Sequence, residues 1–308
     1  MVPSRKRRRL RRAALVVAAF PPLAAAFFAL RGAWEGYGEL HPPRLPPRAS
    51  SAPPELAGME EVSFRTADGV RLSGWWRRGA GDAAVLLAHG WGGNREQMLS
   101  QAGRLARDGF GVLLFDLRGH GSSGSRGGGG EREPLDVEAA RSFLEGEPGV
   151  RWIAAVGYSL GGVAVGLAAA RDPRIRAAVL EGAPPTLDAE LEAEYGGGGP
   201  LEVWAARATL RLLGVHPERV RLVDRVAAVA PRPLLLVYGR GDELTPPDSA
   251  ERIREAAGPS AALWLFPGRG HADLLAAPAE ELPRRVAAFV AQARARDPEL
   301  PPGPAAPR

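Results

Sequence analysis

The chain has 308 residues, no cysteine and a single lysine, Lys6. Without cysteine there is no disulfide and no cysteine-based metal site, and any redox compartment is compatible with the sequence. Basic charge is almost wholly arginine, 40 Lys+Arg in all, a compositional bias and not a recognition device. The body also lacks an excess of either sign. Arg5 to Arg12 contributes seven positive charges, and the rest of the chain sets 33 basic against 35 acidic residues. Nucleic acid therefore finds no electrostatic footprint beyond the tail, and no nucleic-acid partner is expected. No internal repeat is present. Histidine is scarce too, with five copies, so a search for a general base becomes an elimination.

The sequence Gly157-Tyr158-Ser159-Leu160-Gly161-Gly162 follows the apolar run Val150–Val156 and opens the small-residue run Val163–Ala170. Strand, sharp turn and helix with a serine at the tip is the pattern of a nucleophile elbow. The glycines are needed because the turn is strained and crowded against neighbouring backbone. A serine hydroxyl is a weak nucleophile and needs a base, and the base needs an orienting acid. His41 lies in a Pro-rich stretch, His89 and His120 in glycine-flanked turns before the serine, and His216 in a segment read as a lid. His271 follows the predicted strand Ala262–Phe266 in the loop Pro267-Gly268-Arg269-Gly270-His271 and is the choice for the base. The acid belongs between serine and histidine in chain order. Asp242 follows the apolar strand Pro233–Tyr238 and is preferred, with Glu243 the neighbour it could be confused with. A lone Gly-x-Ser-x-Gly is common in a chain with 39 glycines; the order Ser159, Asp242, His271, each past a predicted strand, is what gives it weight.

Acyl transfer also needs donors for a developing oxyanion. The backbone N–H of Leu160, just after the serine, is one expected donor. The second is the Trp91 N–H, in the loop His89-Gly90-Trp91-Gly92-Gly93-Asn94 that follows the apolar strand Ala83–Ala88. Gly119-His120-Gly121-Ser122-Ser123-Gly124 matches a dinucleotide fingerprint letter for letter, but glycines and charges follow it instead of a helix. With no helix N-terminus for a pyrophosphate, it reads as a tight loop, with Asp116 and Arg118 expected to form an ion pair.

These motifs together resemble the α/β-hydrolase superfamily, and within it the serine aminopeptidase, monoglyceride lipase and esterase branch. The resemblance rests on His89–Gly93, Phe115–Gly124, Gly157–Gly162, Gly239–Asp242 and Gly270-His271, in that order, and covers roughly residues 58–295. It implies an α/β fold with a mostly parallel central sheet and a helical lid between the sixth and seventh strands. It further implies Ser159 as nucleophile, Asp242 as acid, His271 as base, and Trp91 and Leu160 as oxyanion donors. A serine at the elbow argues against the dehalogenase and epoxide hydrolase relatives, which place an aspartate there.

The N-terminus divides into a basic flank, 1–12, and an uncharged run, 13–30. Eighteen helical residues span about 27 Å, close to the ~30 Å core of a bilayer. The run is expected to be a transmembrane anchor with the catalytic domain outside the cytoplasm; a cleaved signal peptide ending near Ala24-Ala25-Ala26, leaving a secreted protein, is the rival. Pro21-Pro22 could kink such a helix. Residues 31–57 read as a Pro-rich spacer, 58–297 as the folded domain and 298–308 as a disordered tail. Glu61–Thr66 and Val70–Trp76 form a predicted hairpin, and strands then alternate with helices at 96–108, 134–147, 160–172, 248–257 and 282–295, the α/β signature. Residues 186–229 break the alternation and are the predicted lid, with a helix over 201–213. Tyr158, Tyr195, Trp204 and Leu213 are candidate pocket residues, although lid packing alone accounts for the last three. Glu190, Glu192 and Glu194 read as a solvated helix face, with binding of a substrate amine as the alternative.

The sequence thus predicts a serine hydrolase acting on an ester of modest size, a small-molecule acyl substrate, with no cofactor and no metal. Thioesterase or serine aminopeptidase activity is the alternative reading. A non-catalytic binding module on the same fold, or a tethered scaffold, is a further one. Oligomeric state has no signature in the sequence.

Overall fold

In the computed structural model, residues 5–48, 52–268, 270–275 and 280–297 are described, with side chains from residue 21 onward. The basic side chains of residues 5–12 and the tail 298–308 therefore lie outside the described set. The central sheet has eight strands: β1 (Glu60–Arg65), β2 (Arg71–Arg77), β3 (Ala83–Ala88), β4 (Gly111–Phe115), β5 (Trp152–Tyr158), β6 (Ile175–Glu181), β7 (Leu234–Gly239) and β8 (Ala261–Phe266). Their spatial order is β1-β2-β4-β3-β5-β6-β7-β8. β1, β2 and β4 pair antiparallel, and every pairing from β4 through β3 to β8 is parallel.

The strand sequences explain this layering. β3, β4 and β5 are buried along their whole length, as unbroken apolar strands are when helices cover both faces of a parallel sheet. Edge strand β1 alternates exposed and half-buried residues. Helices α2 (Leu99–Arg107) and α8 (Glu281–Ala295) cover one face through Leu99, Leu105, Val286 and Val290. Helices α3 (Glu133–Glu145), α4 (Leu160–Arg171) and α7 (Pro247–Ala257) cover the other through Val137, Ala164 and Ile253. Between β6 and β7 the chain leaves the sheet and forms α5 (Leu187–Tyr195) and α6 (Pro200–Leu212), which place the lid over the C-terminal ends of the strands.

The N-terminal region departs from expectation. Among the described residues no helix is long and apolar enough to cross a membrane, so neither the transmembrane anchor nor a membrane partner is supported. A single helix, α1 (Arg5–Glu39), runs through the uncharged segment and into the stretch read as a spacer. Beyond the uncharged run the same helix carries Arg31, Glu35 and Glu39. It docks instead on α6: a Cβ on Gly32 would lie 2.0 Å from the Glu202 carbonyl oxygen, and one on Gly36 2.5 Å from that of Ala206. Arg31 pairs at 3.1 Å with the fully buried Glu202 carboxylate.

Residues 40–48 are likewise not a free spacer. Leu40 is buried, and its carbonyl accepts from Gly127 N–H at 2.9 Å. Arg44 donates to the Ser123 carbonyl at 3.2 Å, the Asn94 amide donates to the Leu45 carbonyl at 3.0 Å, and Arg48 N–H donates to Glu96 at 2.8 Å. The segment is a strap lying across the loops that follow β3 and β4.

The expected Asp116–Arg118 ion pair does not form. Asp116 instead pairs with Arg95 at 2.9 Å, and Arg118 bridges Asp68 and Asp136 at 2.8 and 2.7 Å. Each charge is taken instead by a partner that the fold brings in from another part of the chain. Asp116 also accepts from Ser122 N–H at 2.8 Å. The fingerprint-like glycine loop is thereby folded onto a carboxylate, and the next helix begins only at Glu133.

Candidate active site

Ser159 sits between β5 and α4 with φ 51° and ψ −115°, one of two non-glycine residues with positive φ among those described. Such a conformation costs about 1–3 kcal/mol and persists only where the surroundings impose it. The glycines make it possible: a Cβ on Gly157 would lie 2.2 Å from the Gly161 carbonyl oxygen, and one on Gly161 2.3 Å from that of Ala88. The Ser159 N–H donates to the Glu181 carbonyl at 2.7 Å, which pins the turn to β6.

The serine hydroxyl lies 3.0 Å from His271 Nε2. His271 Nδ1 lies 2.8 Å from Asp242 Oδ2. The three side chains predicted from their order in the sequence thus form one hydrogen-bonded relay, and Glu243, the alternative acid, is exposed. Asp242 is held from its other side by the Thr245 N–H at 2.7 Å and the Thr245 hydroxyl at 2.6 Å. Burial opposes ionisation of Asp242, but the hydrogen bonds from His271 and Thr245 outweigh it and keep the carboxyl below its ordinary range. The Tyr158 hydroxyl donates to the His271 carbonyl at 2.9 Å, which fixes the loop that carries His271.

The remaining histidines have other work. His89 is buried, accepts from Leu117 N–H at 3.1 Å, and is kept neutral by burial and by nearby His120, its pKa lowered to about 3. His120 accepts from Gly92 N–H at 3.1 Å. Both therefore hold up the loop that carries Trp91.

The two expected oxyanion donors flank the serine. Leu160 is the first residue of α4, where N–H groups have no partner within the helix. Trp91 lines the same cavity as Ser159, and its loop is fixed by Gln97, which accepts the Gly90 N–H at 2.8 Å. The Trp91 indole N–H donates to the Glu39 carbonyl at 3.1 Å, tying the loop to the end of α1.

The cavity over Ser159 measures about 270 Å³. Trp91, Tyr158, His271 and Leu244 form part of its wall, and Glu39, Glu190 and Glu194 form another part. A narrow notch of about 10 Å³ adjoins it, lined by Leu160, Val163, Leu187 and Val220 and also by Trp91, Glu39 and Glu190. Of the candidate pocket residues, only Tyr158 reaches the cavity. Tyr195 is buried and donates its hydroxyl to Glu39 at 2.5 Å, Leu213 packs on the core, and Trp204 is 62 % exposed. Glu192 pairs with Arg207 at 2.8 Å on the outside. Glu190 is half-buried on the cavity and the exposed Glu194 stands at its rim, so the acidic stretch is solvated except at Glu190. Among the described residues, no group of three His, Asp or Glu is arranged to hold a metal ion.

Sequence reasoning missed Glu39, Gln97 and Thr245. Thr245 was within reach, three residues beyond Asp242 in the same turn. Glu39, 120 residues before the serine, carries no local signal.

Residues 83–229 match the family described as alpha/beta hydrolase fold. An uncharacterised protein of Mycobacterium tuberculosis is 37% identical over 233 residues, covering 74% of this chain and 76% of its own. The uncharacterised protein YfhR of Escherichia coli is 27% identical over 240 residues, 71% of this chain and 76% of its own. A solved esterase of Pyrococcus furiosus superimposes with a TM-score of 0.70 at 25% identity, over 82% of this chain and 97% of its own.

Proposed function

Because this chain belongs to the α/β-hydrolase superfamily, we propose that it is a serine hydrolase that cleaves a carboxylic ester through an acyl-enzyme on Ser159. The observation that carries the reading is the relay Ser159 Oγ–His271 Nε2 at 3.0 Å and His271 Nδ1–Asp242 Oδ2 at 2.8 Å.

In this reading His271 takes the serine proton as Ser159 Oγ bonds to the substrate carbonyl carbon. The carbonyl oxygen becomes an oxyanion, for which the N–H groups of Leu160 and Trp91 are the donors. Asp242, ionised and acceptor-only, holds the Nδ1 proton and stabilises the imidazolium. His271 then gives the proton to the leaving alkoxide, and the ester C–O bond breaks. Water, deprotonated by the same imidazole, attacks the acyl-enzyme and releases the acid and free Ser159. The likeness to the Pyrococcus furiosus esterase favours an oxygen ester over a thioester or a peptide. The limited volume of the cavity over Ser159, about 270 Å³, favours short acyl groups.

The test is hydrolysis of 4-nitrophenyl esters. The acetate should be turned over with kcat/KM at least about tenfold above the decanoate. Ser159→Ala, folded by circular dichroism, should lose about a thousandfold or more of the turnover. Equal rates for Ser159→Ala and the wild-type protein would refute the assignment.

A further inference from the structure

Resting on the hydrolase reading, we propose that Glu181 and Gln101 form a proton-sharing acid–amide pair beneath the elbow, and that Glu181 is through it a positioning residue for Ser159 and His271.

Glu181 is the last residue of β6, and the relay is built around its backbone. Its carbonyl accepts the Ser159 N–H at 2.7 Å. The next residue, Gly182, has φ 57°, and a Cβ there would lie 3.0 Å from His271 Cε1 and 3.2 Å from Nδ1. The imidazole thus rests on the bare Cα of Gly182. In register with Glu181 on β5 stands Tyr158, whose hydroxyl donates to the His271 carbonyl at 2.9 Å. A shift at the end of β6 reaches the nucleophile and the base together.

The Glu181 side chain is wholly buried and meets Gln101, a buried residue of α2. Gln101 Nε2 donates to both carboxyl oxygens, at 3.0 and 2.8 Å. Among the described residues, no other side chain donates to this carboxyl and no basic group pairs with it. Gln101 Oε1 is left over: it is buried and accepts from no donor. An unpaired buried acceptor is costly, and an ionised Glu181, acceptor-only, has no proton to offer it. A protonated Glu181 does. With a turn of the amide, its O–H donates to Gln101 Oε1 while the amide N–H donates to the other carboxyl oxygen. Each group then satisfies the other, and no charge is buried.

Burial favours the same proton and raises the Glu181 carboxyl to about 8, against the partial relief of the Gln101 hydrogen bond. The groups around the pair leave that proton uncontested. Tyr158 on β5 stays neutral, its phenol raised well above its ordinary range by burial, by Asp242 and by Glu181 itself. β7 presents the apolar Val237 in register. From the loops above, Asp242 and His271 stand on the far side of Gly182. Loss of the proton opens the pair and leaves a buried charge, which is relieved only if the end of β6 moves or water enters.

The experiment follows 4-nitrophenyl acetate hydrolysis by the full-length protein between about pH 6 and about pH 9.5, corrected for the uncatalysed rate. Wild-type kcat should fall by about fivefold or more as pH rises through about 8, with KM changed by less than about twofold. Glu181→Gln has no proton to lose and should lack that fall. Gln101→Leu removes the donor that favours the charged carboxyl, so its fall should move to higher pH. At neutral pH, Glu181→Leu should lose about thirtyfold or more in kcat, and Glu181→Gln should recover about tenfold of that loss. Parallel pH profiles for the wild-type protein and Glu181→Gln overturn the proposal, and they decide alone should Glu181→Leu not fold. A second measurement needs no turnover: the infrared spectrum of the wild-type protein at neutral pH should show a protonated-carboxyl C=O band that Glu181→Gln lacks. Identical spectra overturn the pair while labelling of Ser159 by a fluorophosphonate leaves the hydrolase reading standing. Folded protein that neither turns over the ester nor labels overturns the hydrolase reading and the positioning role with it.

Discussion

Ser159, His271 and Asp242 lie in three separate loops, and their alignment depends on residues with no part in the chemistry. Thr245 gives Asp242 two hydrogen bonds, so Thr245→Val should misorient the acid and lower kcat by about tenfold, with little change in KM. Esterase kinetics at saturating substrate check this. A second residue-scale consequence concerns Glu181, whose carbonyl receives the Ser159 N–H. Burial raises its carboxyl to about 8, against the partial relief of a hydrogen bond from Gln101. The folded state therefore prefers the protonated form. The stability that follows is fully present below about pH 4.5 and is lost as pH rises through about 8. Glu181→Gln carries no such charge, so its melting temperature should gain on that of the wild-type protein as pH rises from 5 to 8. Parallel pH profiles of the two melting temperatures would refute this.

At the scale of elements, the elbow is the most constrained unit. Gly161→Ala brings a methyl group 2.3 Å from the Ala88 carbonyl oxygen, so β3 and α4 must separate. A loss of about 1–3 kcal/mol in stability is expected, together with most of the activity, measured by denaturant unfolding and ester hydrolysis. The elbow was readable in the sequence because every part of it is local: an apolar strand, small residues at fixed spacing and a helix. The buried strands were readable for a related reason, since full burial on both faces demands unbroken apolar runs such as Ala83–Ala88. The strap was not. Pro42-Pro43 and Pro46-Pro47 read as a spacer because composition does not reveal what the backbone binds. Apart from the Arg44 side chain, the groups that bind it are main-chain atoms of Leu40, Leu45 and Arg48, which leave no mark on residue identity. The partners of Asp116 and Arg118 were hidden in the same way: Arg95, Asp68 and Asp136 are distant in sequence and meet only once the sheet has formed.

At the scale of the whole molecule, α1 belongs to the body that carries the site. It docks on α6 through Gly32 and Gly36, delivers Glu39 to the cavity, and feeds the strap that braces the Trp91 loop. Gly32→Val should push α1 off α6, lower stability by about 1–3 kcal/mol and reduce activity although it lies far from the serine in sequence. Thermal unfolding and ester kinetics on one preparation test both effects, and an unchanged kcat/KM would show that α1 is dispensable to the site. All of this organisation serves one claim, that Ser159 is the residue that becomes acylated. The most direct measurement is to treat the folded protein with a fluorophosphonate and map the adduct by peptide mass spectrometry. The account predicts a single adduct, on Ser159, that is lost in His271→Ala; an unlabelled protein, or an adduct on another residue, would contradict it.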